Sequence, residues 1–145
     1  MLSEDFKEFL RLLNEHHVEY LVVGGYAVGL HGYPRYTGDL DIWVRSTIEN
    51  GERVVESLRQ FGLGSLEVKA GDFTRENSVV QLGYPPIRID VITSLDGVTF
   101  ESCYSRKDSR EIDGITVDII AFDDLKANKR ATGRARDLDD LENLK

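Results

Sequence analysis

Residues 21–44, LVVGGYAVGLHGYPRYTGDLDIWV, decide how the rest of this chain is read. They open on an apolar, β-branched run, Leu21-Val22-Val23, which has the character of a buried strand. Gly24-Gly25 follow at once. A short apolar helical piece is expected at 26–31, closed by Gly32. A second strand is expected at 40–44, with Asp39 at its start and Asp41 inside it. Strand side chains alternate faces, so Asp39 and Asp41 point one way and Leu40 and Ile42 the other. Aspartate is poor in strands, so a carboxylate between Leu40 and Ile42 needs a reason beyond solvation of a strand end.

Two carboxylates one pleat apart repel unless something positive lies between them. Magnesium suits that place: it is a hard ion that takes oxygen ligands and leaves room for substrate phosphates. The glycines fit the same purpose, although a tight turn would also use them. A strand that turns through Gly-Gly into a helix aims backbone N–H groups and the positive helix end at one spot. Glycine also lets an anion approach the backbone closely. A phosphate cradle at Gly24 and Gly25, beside a carboxylate pair, suggests phosphoryl or nucleotidyl transfer to a bound acceptor.

The composition frames this reading. A chain of 145 residues is expected to form one domain, 1–145, with a single modest core. Its 41% hydrophobic and 30% charged residues are those of a globular protein rather than a disordered one. A net charge of -8 argues against broad nucleic-acid affinity, which needs a basic face. Cys103 stands alone, allows no internal disulfide and fits a reducing cytosol. The start, MLSEDFKEFL, has no apolar signal core, and no run is long enough for a membrane span. A cytoplasmic protein is expected.

Outside the central stretch, 3–16 reads as an amphipathic helix with Phe6, Phe9, Leu10 and Leu13 on one face and Ser3 as its cap. Strands are expected at 20–23, 79–82 and 87–92, the last with Arg88, Asp90 and Ile92 on one face. A helix is expected at 50–61, and loops at 33–38 and around Pro85-Pro86. Asp113-Gly114 is a two-residue hairpin signal between strands at 110–112 and 115–120. The tail, 122–145, reads as helices separated at Gly133, with Leu138, Leu141 and Leu144 three apart. The whole predicts an α+β domain: a small mixed β-sheet flanked by helices, with C-terminal helices.

At this point the chain resembles the nucleotidyltransferase superfamily, which includes DNA polymerase beta and the aminoglycoside-modifying nucleotidyltransferases. The family pattern of an apolar residue, Gly-Gly, a gap, and Asp-apolar-Asp-apolar is matched by Val23-Gly24-Gly25 and Asp39-Leu40-Asp41-Ile42. A third family carboxylate lies on a later strand, and Asp90 in Arg-Ile-Asp-Val-Ile is similar in setting. The likeness is strongest to small AbiEii-like, or minimal, nucleotidyltransferases, through Arg35, Thr37, Asp39 and Asp41 and through a tail with Lys126, Lys129 and Arg136-Asp137-Leu138.

What the resemblance implies is a nucleotidyltransferase-like fold and transfer of a nucleoside monophosphate from a nucleoside triphosphate, ATP among the possibilities, to an acceptor hydroxyl. Asp39, Asp41 and Asp90 would hold two magnesium ions, and Asp90 could also act as general base. Asp118 is the rival third ligand, or only an edge-strand charge. Gly24, Gly25, Arg35, Thr37, Lys126 and Lys129 would bind the triphosphate. The plainer reading of Lys126 and Lys129 is a solvated helix face, and of Asp137 and Asp140 a solvent-facing or Arg-paired one. His31 reads first as a capping or packing residue. The acceptor, whether tRNA, protein or small molecule, is open, and so is a toxin–antitoxin role. The competing class is a catalytically silent module that binds a protein partner through its leucine-bearing tail.

Overall fold

The computed structural model describes residues 2–34, 38–63, 67–84 and 87–144. Arg35, Thr37 and the Pro85-Pro86 turn lie outside the described residues. Helix α1 (Glu4–Glu15) begins where the Ser3 hydroxyl accepts the Phe6 N–H at 3.1 Å. Its apolar stripe of Phe6, Phe9, Leu10 and Leu13 is buried, as the spacing predicts. Strand β1 (Tyr20–Val23) follows and is buried along its whole length. It is the hub of the fold.

The remaining elements are α2 (Gly24–Leu30), β2 (Asp39–Val44), α3 (Ile48–Leu58), β3 (Val79–Tyr84), β4 (Ile87–Ile92), α4 (Phe100–Ser105), β5 (Asp108–Ile112), β6 (Ile115–Ile119), α5 (Phe122–Thr132) and α6 (Ala135–Asn143). The six strands form one sheet in the order β3-β4-β2-β1-β6-β5. It is mixed: β1 runs antiparallel to β2 and parallel to β6, and β2 runs parallel to β4. The α+β class expected from the sequence is the one found. The hairpin between β5 and β6 turns on Asp113 (φ 51°) and Gly114 (φ 85°), the backbone that a two-residue Asp-Gly loop provides.

Three local features fix the frame around the sheet. Buried Asn50 on α3 accepts the Glu19 N–H at 2.8 Å and donates to the carbonyls of Glu19 and Arg45, each at 3.0 Å, locking the start of β1 to the end of β2. Gly133 ends α5 in the left-handed conformation (φ 65°), so α6 folds back against α5. His31 Nε2 lies 2.7 Å from the Ile120 carbonyl, which can only accept, so Nε2 carries the proton. His31 Nδ1 then accepts from Arg110 Nη2 at 3.2 Å, and the ring packs edge-on against Phe122. His31 is thus the packing residue the sequence suggests.

The tail differs from the plainest reading of its charges. The three leucines do not form one stripe: Leu144 is buried, whereas Leu138 is 49% exposed. A step of three residues turns a helix about 60° short of a full circle, so residues six apart sit about 120° apart. Asp137 is Arg-paired, one of the two readings the sequence offers, through Arg134, but it, Asp140 and Lys129 are all buried, so the solvated face expected for Lys129 is not found. Lys129 Nζ bridges Asp137 at 3.0 Å and Asp140 at 3.2 Å. Asp137 also accepts from Thr132 (2.7 Å) and Arg134 (2.7 Å). Burial pushes the Asp137 carboxyl up, but Arg134, Thr132 and Lys129 outweigh it and hold it well below the usual carboxylate range.

Candidate active site

The register of β2 and β4 brings the acidic residues together. Asp39 pairs with Arg88 and Asp41 with Asp90, and parallel neighbours in register project to the same face. Asp90, far from Asp41 in sequence, is therefore its side-by-side neighbour. Asp39 lies one pleat further along β2, on that same face. The site sits where β1 ends, because Val23 pairs with Asp41.

Crowding of negative charge shows in the ionisation of Asp41. Its pKa is pushed up from 3.8 to about 6, first by burial and then by the charges of Asp90 and Asp39, with Lys129 and Arg88 offsetting part of the rise. Among the described residues, Arg88 forms ion pairs with these acids. Its Nε and Nη2 each donate to Asp90 at 3.2 Å, and its Nε lies 3.8 Å from Asp39. Two residues apart on one strand, Arg88 and Asp90 share a face, a spacing legible in the sequence. Replacing Arg88 with alanine leaves the carboxylates without this counter-charge. We expect Arg88→Ala to lower the melting temperature in a metal-free unfolding experiment.

Gly24 makes room for Asp41. It is the first residue of α2 rather than part of a linker before the helix. Its φ is +66°, and a Cβ there would collide with the Asp41 carboxylate, standing 3.0 Å from Cγ. The side chain of Asp41 thus occupies the space that a side chain at position 24 would need. Gly24→Ala should cost about 2–4 kcal/mol of stability through the clash and the left-handed backbone. It should also displace Asp41 and lower turnover at least tenfold; an unchanged melting temperature would show that the space at Gly24 is immaterial.

Of the other sequence candidates, Gly25 is buried in the first turn of α2. Lys126 lies over the Phe122 ring, 5.0 Å from its centroid. Lys129 is committed to Asp137 and Asp140, yet its charge reaches Asp41. Asp118 stands apart. It lies on β6, two strands from β2, held by Ser109 (2.6 Å) and Lys107 (3.4 Å), with its backbone N–H near the Tyr20 hydroxyl at the far end of β1 from Gly24. The roles of Arg88 and of buried Lys129 were not singled out by sequence reasoning.

The six-stranded mixed sheet with its flanking helices has the fold of nucleotidyltransferase structures already solved. TM1012 of Thermotoga maritima, assigned as a nucleotidyltransferase, superposes with a TM-score of 0.64 at 16% identity, covering 95% of this chain and 88% of its own. The lincosamide antibiotic adenylyltransferase LnuA, solved with lincomycin bound, matches with a TM-score of 0.59 at 14% identity, over 99% of this chain and 96% of its own. An antigenic nucleotidyltransferase-like protein of Paracoccidioides brasiliensis matches with a TM-score of 0.55 at 16% identity, over 97% and 72%. No protein-family model matches the chain, and no curated protein matches it in sequence. Among the described residues no helix is long and apolar enough to cross a membrane.

Proposed function

We propose that this chain is a magnesium-dependent nucleotidyltransferase that moves a nucleoside monophosphate from a nucleoside triphosphate to an acceptor hydroxyl. The observation that carries this reading is the side-by-side placement of Asp41 and Asp90, with Asp39 on the same face. The donor set fits magnesium: hard oxygens, among them the half-buried Asp41 carboxylate, whose pKa is raised by burial and then by the charges of Asp90 and Asp39. Among the described residues no three of His, Cys, Asp and Glu form a ready-made cage. Magnesium does not need one, because it keeps waters and takes substrate phosphates alongside one or two carboxylates. Asp39, Asp41 and Asp90 are the residues that would hold it.

Bound there, magnesium would supply positive charge against the transferring phosphoryl group. The chain's own residues do the rest. Asp90 would accept the proton of the acceptor hydroxyl as its oxygen bonds to the α-phosphorus. The bond from the α-phosphorus to the bridging oxygen breaks, and pyrophosphate leaves. N–H groups in the first turn of α2, at Gly24 and Gly25, together with Arg35, Thr37, Lys126 and the field of Lys129, would steady the triphosphate. Small-molecule acceptors are the first class to screen, because LnuA is an antibiotic adenylyltransferase matched over nearly its whole length. The AbiEii-like likeness, with its toxin–antitoxin setting in the cytoplasm, instead suggests a macromolecular acceptor.

The first test is thermal denaturation with magnesium and each nucleoside triphosphate, alone and together. A rise that needs both, and that is lost in Asp39→Asn, supports the proposal. No rise for any pair would favour the silent module.

A further inference from the structure

The two edges of the sheet are built differently, and the contrast points to a partner. The outer strand β5 carries Asp108, Arg110 and Glu111 among its five residues, the charged guard that keeps a sheet edge from pairing. The opposite edge, β3, has the sequence VVQLGY. Residues 77–87, NSVVQLGYPPI, contain no charged side chain at all. Of the exposed large hydrophobic side chains among the described residues, two lie on this one strand: Val79 is 56% exposed and Tyr84 87%. An uncharged edge with exposed apolar side chains is the kind that recruits another strand.

The backbone shows how such a strand would attach. Thr93 N–H donates to the Ser78 carbonyl at 3.1 Å, so the groups of residue 78 face β4. Bonding alternates along an antiparallel ladder, so those of Val79 and Gln81 face outward. We propose that β3 is a dimerisation edge, and that its occupant is β3 of a second copy of this chain, running antiparallel about a two-fold axis at Gln81. In that register Gln81 meets Gln81, and each Val79 lies opposite Gly83 of the other copy. Each copy supplies the donors and acceptors the other lacks, which is the closure an isologous contact requires.

At this edge charge does not oppose that occupant. Two chains of net charge -8 repel across most of their surfaces, and this edge lets them meet without setting charge against charge. The pairing would join two six-stranded sheets into one. A two-fold axis normal to the sheet keeps both acidic faces on the same side, with the two β4 strands three strand spacings, about 14 Å, apart. One strand pair buries a small area, so the dimer is of micromolar strength.

The test is sedimentation velocity on the full chain from about 1 to about 100 μM, with Gln81→Glu beside the wild type. We expect a concentration-dependent monomer–dimer equilibrium for the wild type and a monomer throughout for Gln81→Glu, with unchanged circular dichroism. Gln81→Cys supplies the second measurement. Cys103 is buried, its thiol pushed up to about 11 by burial and then by Asp124, so an oxidised dimer would form through position 81. Oxidation should give a disulfide-linked dimer with Gln81→Cys and not with Glu111→Cys on the guarded edge. A wild type that stays monomeric throughout overturns the proposal. So does a dimer that survives Gln81→Glu, or open-ended assemblies in place of a closed pair.

Discussion

Asp41→Asn is expected to reduce nucleotidyl transfer by at least a thousandfold and, in metal-free solution near neutral pH, to make the protein more stable. The first effect follows from loss of one negative oxygen where charge on the transferring phosphate must be met. The second follows from linkage. The folded pKa of Asp41 is about 6 against an ordinary value of 3.8, so the folded state binds that proton more tightly than the unfolded chain does. Its contribution to stability is fully present below pH 3.8 and is lost as pH rises through about 6. Above that, the wild type carries a penalty of about 1–3 kcal/mol that asparagine removes. Urea titrations at several pH values check it: the variant should exceed the wild type near neutrality and lose its advantage in acid. Magnesium should reverse the order by stabilising only the wild type.

Lys129→Ala is expected to be among the most destabilising single substitutions in the chain. Lys129 is 5% exposed, and its ammonium lies between the buried carboxylates of Asp137 and Asp140. Removing it strands two negative charges away from water, which costs about 3–5 kcal/mol. Arg134 and Thr132 still serve Asp137, and this keeps the loss from being larger. The triple change Lys129→Met, Asp137→Leu, Asp140→Leu should recover much of the stability, because a buried ion pair exchanged for packed apolar groups is often neutral or better. Chemical denaturation of both variants measures this. A Lys129→Ala loss below about 1 kcal/mol would mean that water reaches the cluster.

The same lysine marks where the sequence stopped being informative. Strand alternation and the rarity of aspartate in strands were enough to pick out Asp39 and Asp41, and the family resemblance favoured Asp90 over Asp118. They could not say that β2 and β4 are parallel neighbours with Asp41 opposite Asp90, because register is set by the whole sheet. Gly24 was visible as a residue of unusual backbone freedom, but its collision partner, the Asp41 carboxylate, exists only once β1 and β2 are paired. Lys126 and Lys129 look alike in sequence. One lies over Phe122 and the other is buried, and the difference comes from how α6 folds back after Gly133. The leucine spacing of the tail carries little by itself, because a period of three is not the period of a helix face, and Leu138 is exposed while Leu144 is buried.

The central claim is that this acidic face transfers a nucleotide rather than only binding a partner. The most direct measurement incubates wild type and Asp90→Asn with magnesium, candidate acceptors and nucleoside triphosphates labelled at either the α- or the γ-phosphate. The account predicts that label from the α-phosphate moves to an acceptor, label from the γ-phosphate leaves in pyrophosphate, and Asp90→Asn does neither. Transfer of the γ-label to the acceptor, or equal turnover by the Asp90 variant, would contradict it.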